Sequence, residues 1–281
     1  IEHPEILEAL RRALEEDIGP GDVTSRACVP ESRQAVGRFL AREPLVLAGM
    51  GLLPLLYRLR GGVDELRLER PDGAAVAGGE TVASVRGPAR TLLECERTAL
   101  NFLQRLSGIA TLGRRYVEQV AGTGCRILDT RKTTPGLRRL EKMAAAAGGV
   151  TNHRVGLFDA ILIKNNHIAA AGGVRQALEN ARTAGLPIEI EVRTQAELVE
   201  ALENRATHLL LDNLTPAQAA EQVRFIRGYR PGGPPVVIEL SGGITLENVR
   251  AYAESGADFI SSGAITHSAP AVDLSFRLEL L

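Results

Sequence analysis

The residues best suited to chemistry gather between Asp129 and His167 of this 281-residue chain. The first run is Asp129-Thr130-Arg131-Lys132-Thr133-Thr134-Pro135-Gly136. Asn152-His153-Arg154 follows, and then Leu162-Ile163-Lys164-Asn165-Asn166-His167. The 33 Lys and Arg side chains include only three lysines, Lys132, Lys142 and Lys164, and two of these lie inside the runs. A lysine ammonium is a compact, mobile point charge, useful where an anion must be met rather than forked. The formal net charge is −1, without the basic excess of a nucleic-acid binder. The cations therefore suit a pocket for a small ligand bearing several negative charges.

Elements that can position such a pocket are legible from Cys125 onward. Short apolar runs at Arg126–Asp129, Ala160–Ile163, Ile188–Val192, His208–Leu211, Val236–Leu240 and Phe259–Ser262 alternate with amphipathic stretches. The alternation predicts six parallel strands with intervening helices. The ends of these runs are Asp129, with Arg131 and Lys132 just beyond, then Lys164, Glu191, Asp212, Glu239 and Ser262. In α/β barrels the active site forms at the carboxyl ends of the strands, where the βα loops converge. Six units in place of eight predict an incomplete, open barrel. Residues before about 105 lack this rhythm. Ile6–Glu16 and Met50–Arg60 read as helices, and Ala35–Ala41, Leu45–Ala48, Glu65–Glu69 and Thr81–Val85 as short strands. Leu92–Leu106 and Ala110–Val120 read as two long helices leading into the barrel. The expected division is an α+β sandwich over 1–105 and a barrel over 106–281, with a carboxy-terminal helix packing back on the first domain.

Several motifs carry specific chemistry. Ser241-Gly242-Gly243 and Ser262-Gly263-Ala264 occupy the last two strand-to-helix loops, where barrels often bind phosphate through backbone amides. Glu191 and Asp212 can bind Mg²⁺, hold ribose hydroxyls or stabilise a developing cation, or simply pair with Arg131, Lys132 or Lys164. Glu189 reads as out of phase with Glu191 and directed away from the lumen. His153 and Arg154 lie in a loop between two cationic strand ends, and His167 and His267 are further histidine candidates. Arg97, in Glu94-Cys95-Glu96-Arg97, reads by itself as a surface arginine paired with Glu94 or Glu96. Pro71–Pro88 has the glycine- and valine-rich look of a carrier domain, but no lysine precedes Lys132 to bear an attached group, so that segment reads as structural.

Composition excludes other classes. Cys28, Cys95 and Cys125 are widely spaced and fit buried thiols of a reducing cytoplasm better than disulfides or zinc ligands. No apolar stretch approaches the ~20 residues of a membrane span. The first residues show no signal-peptide pattern.

Taken together, Asp-Thr-Arg-Lys-Thr-Thr-Pro-Gly-Leu-Arg, Asn-His-Arg, Leu-Ile-Lys-Asn-Asn-His-Ile, Leu-Asp-Asn, Glu-Arg-Thr-Ala-Leu-Asn, Leu-Ser-Gly-Ile-Ala-Thr and Gly-Ala-Ile-Thr-His-Ser resemble the quinolinate phosphoribosyltransferase family. The resemblance runs essentially end to end. Asn165 is a departure, since aspartate is more usual there. The resemblance implies an amino-terminal α/β sandwich, an open six-stranded barrel and a homodimer in which Arg97 reaches the partner's site. It implies Arg131, His153, Arg154 and Lys164 for quinolinate and Lys132 beside phosphoribosyl pyrophosphate, with Thr130 among the substrate-binding residues. Glu191 and Asp212 are implied for ribose and Mg²⁺, and Ser241, Gly242, Gly243, Ser262, Gly263 and Ala264 for the 5-phosphate end, with His267 among the substrate-binding residues. Lys132, Lys164, Glu191 and Asp212 form the expected catalytic set. The implied reaction yields nicotinate mononucleotide, pyrophosphate and CO2 for NAD biosynthesis. A barrel transferase for another acidic heterocycle and a non-catalytic metabolite binder remain as alternatives.

Overall fold

The computed structural model describes residues 2–229 and 235–281. The chain forms two compact units. One comprises residues 1–114, 133–149 and 265–281, and the other residues 115–132 and 150–264.

The first unit begins with helix Pro4–Ile18, which has proline in its first turn, buries Ile6, Leu10 and Leu14 on one face, and ends at Gly19. Asp22 then caps the helix Val23–Cys28, accepting the backbone N–H groups of Thr24 and Ser25 at 3.0 and 2.9 Å. Strands β1 (Gln34–Ala41), β2 (Leu45–Val46), β3 (Glu65–Leu68), β4 (Ala75–Val76) and β5 (Thr81–Pro88) follow, with helix Leu52–Leu59 between β2 and β3. The next helix runs unbroken from Ala89 to Gln119, where the sequence suggests two. Gly108, the apparent break, is small for another reason: an added Cβ would lie 2.0 Å from the Pro270 carbonyl oxygen. Helix Arg138–Ala147 also belongs to this unit rather than to the barrel. Its fully buried Glu141 receives Arg105 Nη2 at 3.0 Å and Thr134 Oγ1 at 2.7 Å.

The second unit contains β6 (Arg126–Leu128), β7 (Ile161–Ile163), β8 (Ile188–Val192), β9 (His208–Asp212), β10 (Val237–Ser241) and β11 (Phe259–Ser261). They form one parallel sheet in the order β6-β11-β10-β9-β8-β7. The last strand thus returns to the first, and the seam between β6 and β7 stays open. Thr151, ahead of β7, makes a parallel bridge to Leu128 beside that seam. The expected open, six-stranded barrel is the observed fold. Ile190, Leu209, Leu211, Ile238 and Leu240 are buried apolar residues of β8 to β10. The residues alternating with them include Glu189, Glu191, Asp212 and Glu239.

The carboxy-terminus is a strand, β12 (Leu274–Leu280), not the expected helix. It pairs antiparallel with β1, completing a four-stranded sheet in the order β12-β1-β5-β3. Leu274, Phe276, Leu278 and Leu280 alternate with polar residues, the period of a strand. Among the described residues the cysteines are free; Cys95 and Cys125 are buried as expected, but Cys28 is exposed. No described helix is long and apolar enough to cross a membrane.

Candidate active site

Because all six strands are parallel, their carboxyl ends share one rim. Lys164 follows β7 directly, and its Nζ lies 3.0 Å from Glu191 Oε2 on β8. Asp212 closes β9 beside them. Its pKa is raised, first by burial and then by the charge of Glu191, against the opposing charges of Lys164 and Lys132. Lys132, Lys164, Glu191 and Asp212 therefore form one local electrostatic group. Thr130 Oγ1 accepts the Lys132 backbone N–H at 3.0 Å, shaping the turn that carries Lys132.

Arg131 and Arg154 make the second group. Burial, followed by the nearby charge of Arg131, pushes the Arg154 pKa down, while Asp159 and Glu189 oppose the shift. Two guanidiniums close enough to disfavour one another make a seat that an anion relieves. Arg154 Nη1 also donates to the Ala160 carbonyl at 3.0 Å.

His153 is engaged at both ring nitrogens. Nδ1 accepts the Arg154 backbone N–H at 2.7 Å. Nε2 lies 3.2 Å from Glu189 Oε2 and 3.4 Å from Glu239 Oε2. Burial of the ring lowers its pKa, but hydrogen bonds and charges from the two glutamates outweigh this and raise it to about 9. The Arg154 N–H opposes them, since only a ring unprotonated at Nδ1 can accept it. The glutamates set the direction, because two buried anions outweigh one backbone dipole. Burial raises the Glu189 pKa, offset by its hydrogen bond to His153 and reinforced by the charge of Glu239.

This trio corrects the reading of Glu189. Residues two apart on a strand point to the same face, so Glu189 and Glu191 share one. The spacing itself held the signal. Asp129, fully buried, accepts His153 N and Asn152 Nδ2, both at 2.7 Å. Its place at a strand end marked it without revealing that task.

The loops after β9, β10 and β11 complete the rim. Asn213 adopts a positive φ of 55° and donates from Nδ2 to Asp212 Oδ2 at 2.7 Å. Gly242 has φ +89°, and a Cβ there would lie 2.4 Å from Asn213 Oδ1. Glycine is thus required where the β9 and β10 loops meet. Ser241 pairs with Asp212, and Gly243 follows with a positive φ. Ser262 is buried, its N–H bonding Leu128 O at 3.2 Å and its hydroxyl Ile244 O at 3.1 Å. Gly263 and Ala264 follow directly.

Arg97 and His267 belong to the other unit. Arg97 is exposed on helix Ala89–Gln119 and, among the described residues, forms no ion pair within 4.0 Å. The expected Glu94 pair does not form, because Glu94 bonds Arg60. Glu96 feels the Arg97 charge, although burial dominates its raised pKa. His267 is exposed, with Nδ1 2.6 Å from Ser268 Oγ.

A parallel barrel whose strand ends carry paired cations facing paired carboxylates defines a class of enzyme acting on polyanions. Comparison with known proteins gives the particular family. Residues 22–107 match the quinolinate phosphoribosyl transferase N-terminal domain and residues 109–277 its C-terminal domain. A Mycobacterium leprae nicotinate-nucleotide pyrophosphorylase [carboxylating] is 42% identical over 278 residues, covering 96% of each chain. A probable Bacillus subtilis enzyme of the same name is 39% identical, covering 99% of this chain and 95% of its own. The crystal structure of NadC from Streptococcus pyogenes aligns with TM-score 0.91 at 37% identity, over 99% of this chain and 97% of that one. The chain belongs to the quinolinate phosphoribosyltransferase family.

Proposed function

We propose that the chain transfers phosphoribose from phosphoribosyl pyrophosphate to quinolinate, releasing nicotinate mononucleotide, pyrophosphate and CO2 in NAD biosynthesis. Family membership supports this reading. The observation carrying it is the paired arrangement of the site: Arg131 beside Arg154, and Lys132 and Lys164 beside Glu191 and Asp212. Quinolinate bears two carboxylates, which the guanidiniums and Lys164 would hold. The pyridine nitrogen attacks the anomeric carbon of ribose as the bond to pyrophosphate breaks. Glu191 and Asp212 face the sugar while it is cationic, and Lys132 offsets charge on the departing phosphates. The new bond leaves the ring nitrogen positive. Electrons of the adjacent C–CO2 bond can then pass to C2 as CO2 departs, and a proton adds there. Positioning and electrostatics suffice, with no protein nucleophile.

Glu191 and Asp212 fit Mg²⁺. Burial first, and then the charge of Glu191, raise the Asp212 pKa, and the repulsion between these two carboxylates is one that a cation relieves; Mg²⁺ commonly takes one or two carboxylates with phosphate oxygens. When bound, it supplies positive charge to the leaving pyrophosphate. Gly242, Gly243, Gly263 and Ala264 offer backbone amides, and Ser241 and Ser262 hydroxyls, for the 5-phosphate. The proposed enzyme is a cytoplasmic homodimer in which Arg97 reaches the partner's site.

Incubation with quinolinate, phosphoribosyl pyrophosphate and Mg²⁺ should yield nicotinate mononucleotide and CO2 in equal amounts. Nicotinate, lacking the second carboxylate, leaves a guanidinium or ammonium unpaired and should be poorer in kcat/KM by roughly a hundredfold or more. Comparable rates for the two acids would sink the assignment.

A further inference from the structure

Asn152-His153-Arg154 crosses the part of the second unit where β6 and β7 do not pair. Three carboxylates from different strands or strand ends hold this short segment. Asp129, following β6, takes the His153 N–H and the Asn152 side chain. Glu189 of β8 and Glu239 of β10 converge on His153 Nε2. The side chains of Glu189 and Glu239 are only 15% and 4% exposed. Burying carboxylates this way is costly unless a hydrogen-bonding or charged partner compensates, and His153 is that partner. The transfer chemistry above uses neither glutamate.

The ring is also tied directly to Arg154. Its Nδ1 lies 2.7 Å from the Arg154 backbone nitrogen, so turning the ring displaces the backbone that carries the guanidinium. Arg154 must sit beside like-charged Arg131, and the charge of Glu189 offsets part of that repulsion. We infer that Glu189 and Glu239 are positioning residues that, through the His153 ring, brace Asn152–Arg154 across the open seam and aim Arg154 at a substrate carboxylate. This rests on the proposed quinolinate reaction.

A cation site is the alternative to a brace, since these three residues place ligand atoms within 4.8 Å of one another. The hydrogen-bonding distances from Nε2 to both carboxylates already account for that approach.

A double-mutant cycle on the full chain tests the inference. Glu189→Gln, Glu239→Gln and Glu239→Ala are each made with His153 intact and with His153→Ala. Glu189→Gln and Glu239→Ala should each raise the quinolinate KM about tenfold and alter the phosphoribosyl pyrophosphate KM less than about twofold, while in the His153→Ala background the quinolinate shift should shrink below about twofold. Glu239→Gln, which keeps an acceptor for Nε2–H, should retain more affinity than Glu239→Ala. Additive losses, or equal effects on both substrates, overturn the inference.

Ring-resonance titration by NMR supplies a readout independent of turnover. The His153 ring should titrate near its raised value of about 9 and fall toward the ordinary 6.5 in Glu239→Gln. A protein that binds and turns over no quinolinate refutes the proposed reaction; a His153 titration that Glu239→Gln leaves unmoved refutes the brace.

Discussion

In the proposed reaction Asp212 meets charge on the reacting sugar, yet burial and Glu191 both resist its ionisation. Asp212→Asn keeps the side chain's size and removes the charge. Turnover should fall by roughly a hundredfold or more while quinolinate affinity changes little, because the carboxylate opposes a charge present only during transfer. Rates and binding titrations on the same variant check this; lost quinolinate binding with normal turnover would mean that the two ends of the pocket are reversed. His153 gives a stability prediction. Its folded pKa, about 9, lies above the ordinary value of 6.5. Its contribution is therefore full below about pH 6.5, declines as the unfolded state loses its proton, and is spent above about pH 9. The melting-temperature difference between the native chain and His153→Gln should be largest near pH 6 and fade toward pH 10; a gap independent of pH would contradict the raised pKa. At this scale the cations were readable because their types and density are unusual. The partners of His153 were less so: sequence shows that Glu189 and Glu191 share a face, but not that Glu239, two strands away, reaches the same imidazole.

Gly242 shows what the elements contribute. The β9 and β10 loops approach so closely that Asn213 occupies the space a side chain would need. Gly242→Ala must displace the Asp212-Asn213 turn and also hold alanine at positive φ. The variant should fold, because the site lies at the rim rather than in the core, but lose at least roughly tenfold in kcat through a shift of about an ångström in Asp212. Circular dichroism and kinetics on one preparation decide the point, and unchanged kcat would show that the turn yields without moving Asp212. Six strands were legible because each is a short apolar run between helical stretches, and parallel strands buried on both faces read that way. The break at Ser107-Gly108 misled, since glycine there accommodates Pro270 within a continuous helix. The period of β12 was legible locally, in its alternation of Leu and Phe with polar residues, although the reading above expects a helix there. Its partner was not, because pairing with β1 joins opposite ends of the sequence. That pairing buries structure locally too: Phe276 lies 4.8 Å from Phe39, centroid to centroid, over the gap left by Gly37.

For the whole molecule, the open question of function is how Arg97 is used. Its own sequence suggests only a surface ion pair, and its observed exposure leaves the guanidinium available. If it completes a neighbour's site, Arg97→Ala chains should be folded, dimeric and nearly inactive, because a forked guanidinium is well matched to a carboxylate or phosphate and alanine leaves that contact empty. Lys164→Ala chains should be inactive for a different reason, having lost a cation of their own barrel. The two defects are complementary in a mixed dimer. One site then combines the intact barrel of the Arg97→Ala chain with the intact arginine of the Lys164→Ala chain, while the other site carries both lesions. Random exchange of equal amounts makes about half the dimers mixed, each with one competent site of two, so roughly a quarter of normal activity should return. Subunit exchange is verified separately with differently tagged chains, and activity is read against unmixed controls at the same total concentration. Exchange without recovery would place Arg97 in its own chain's site or in folding alone.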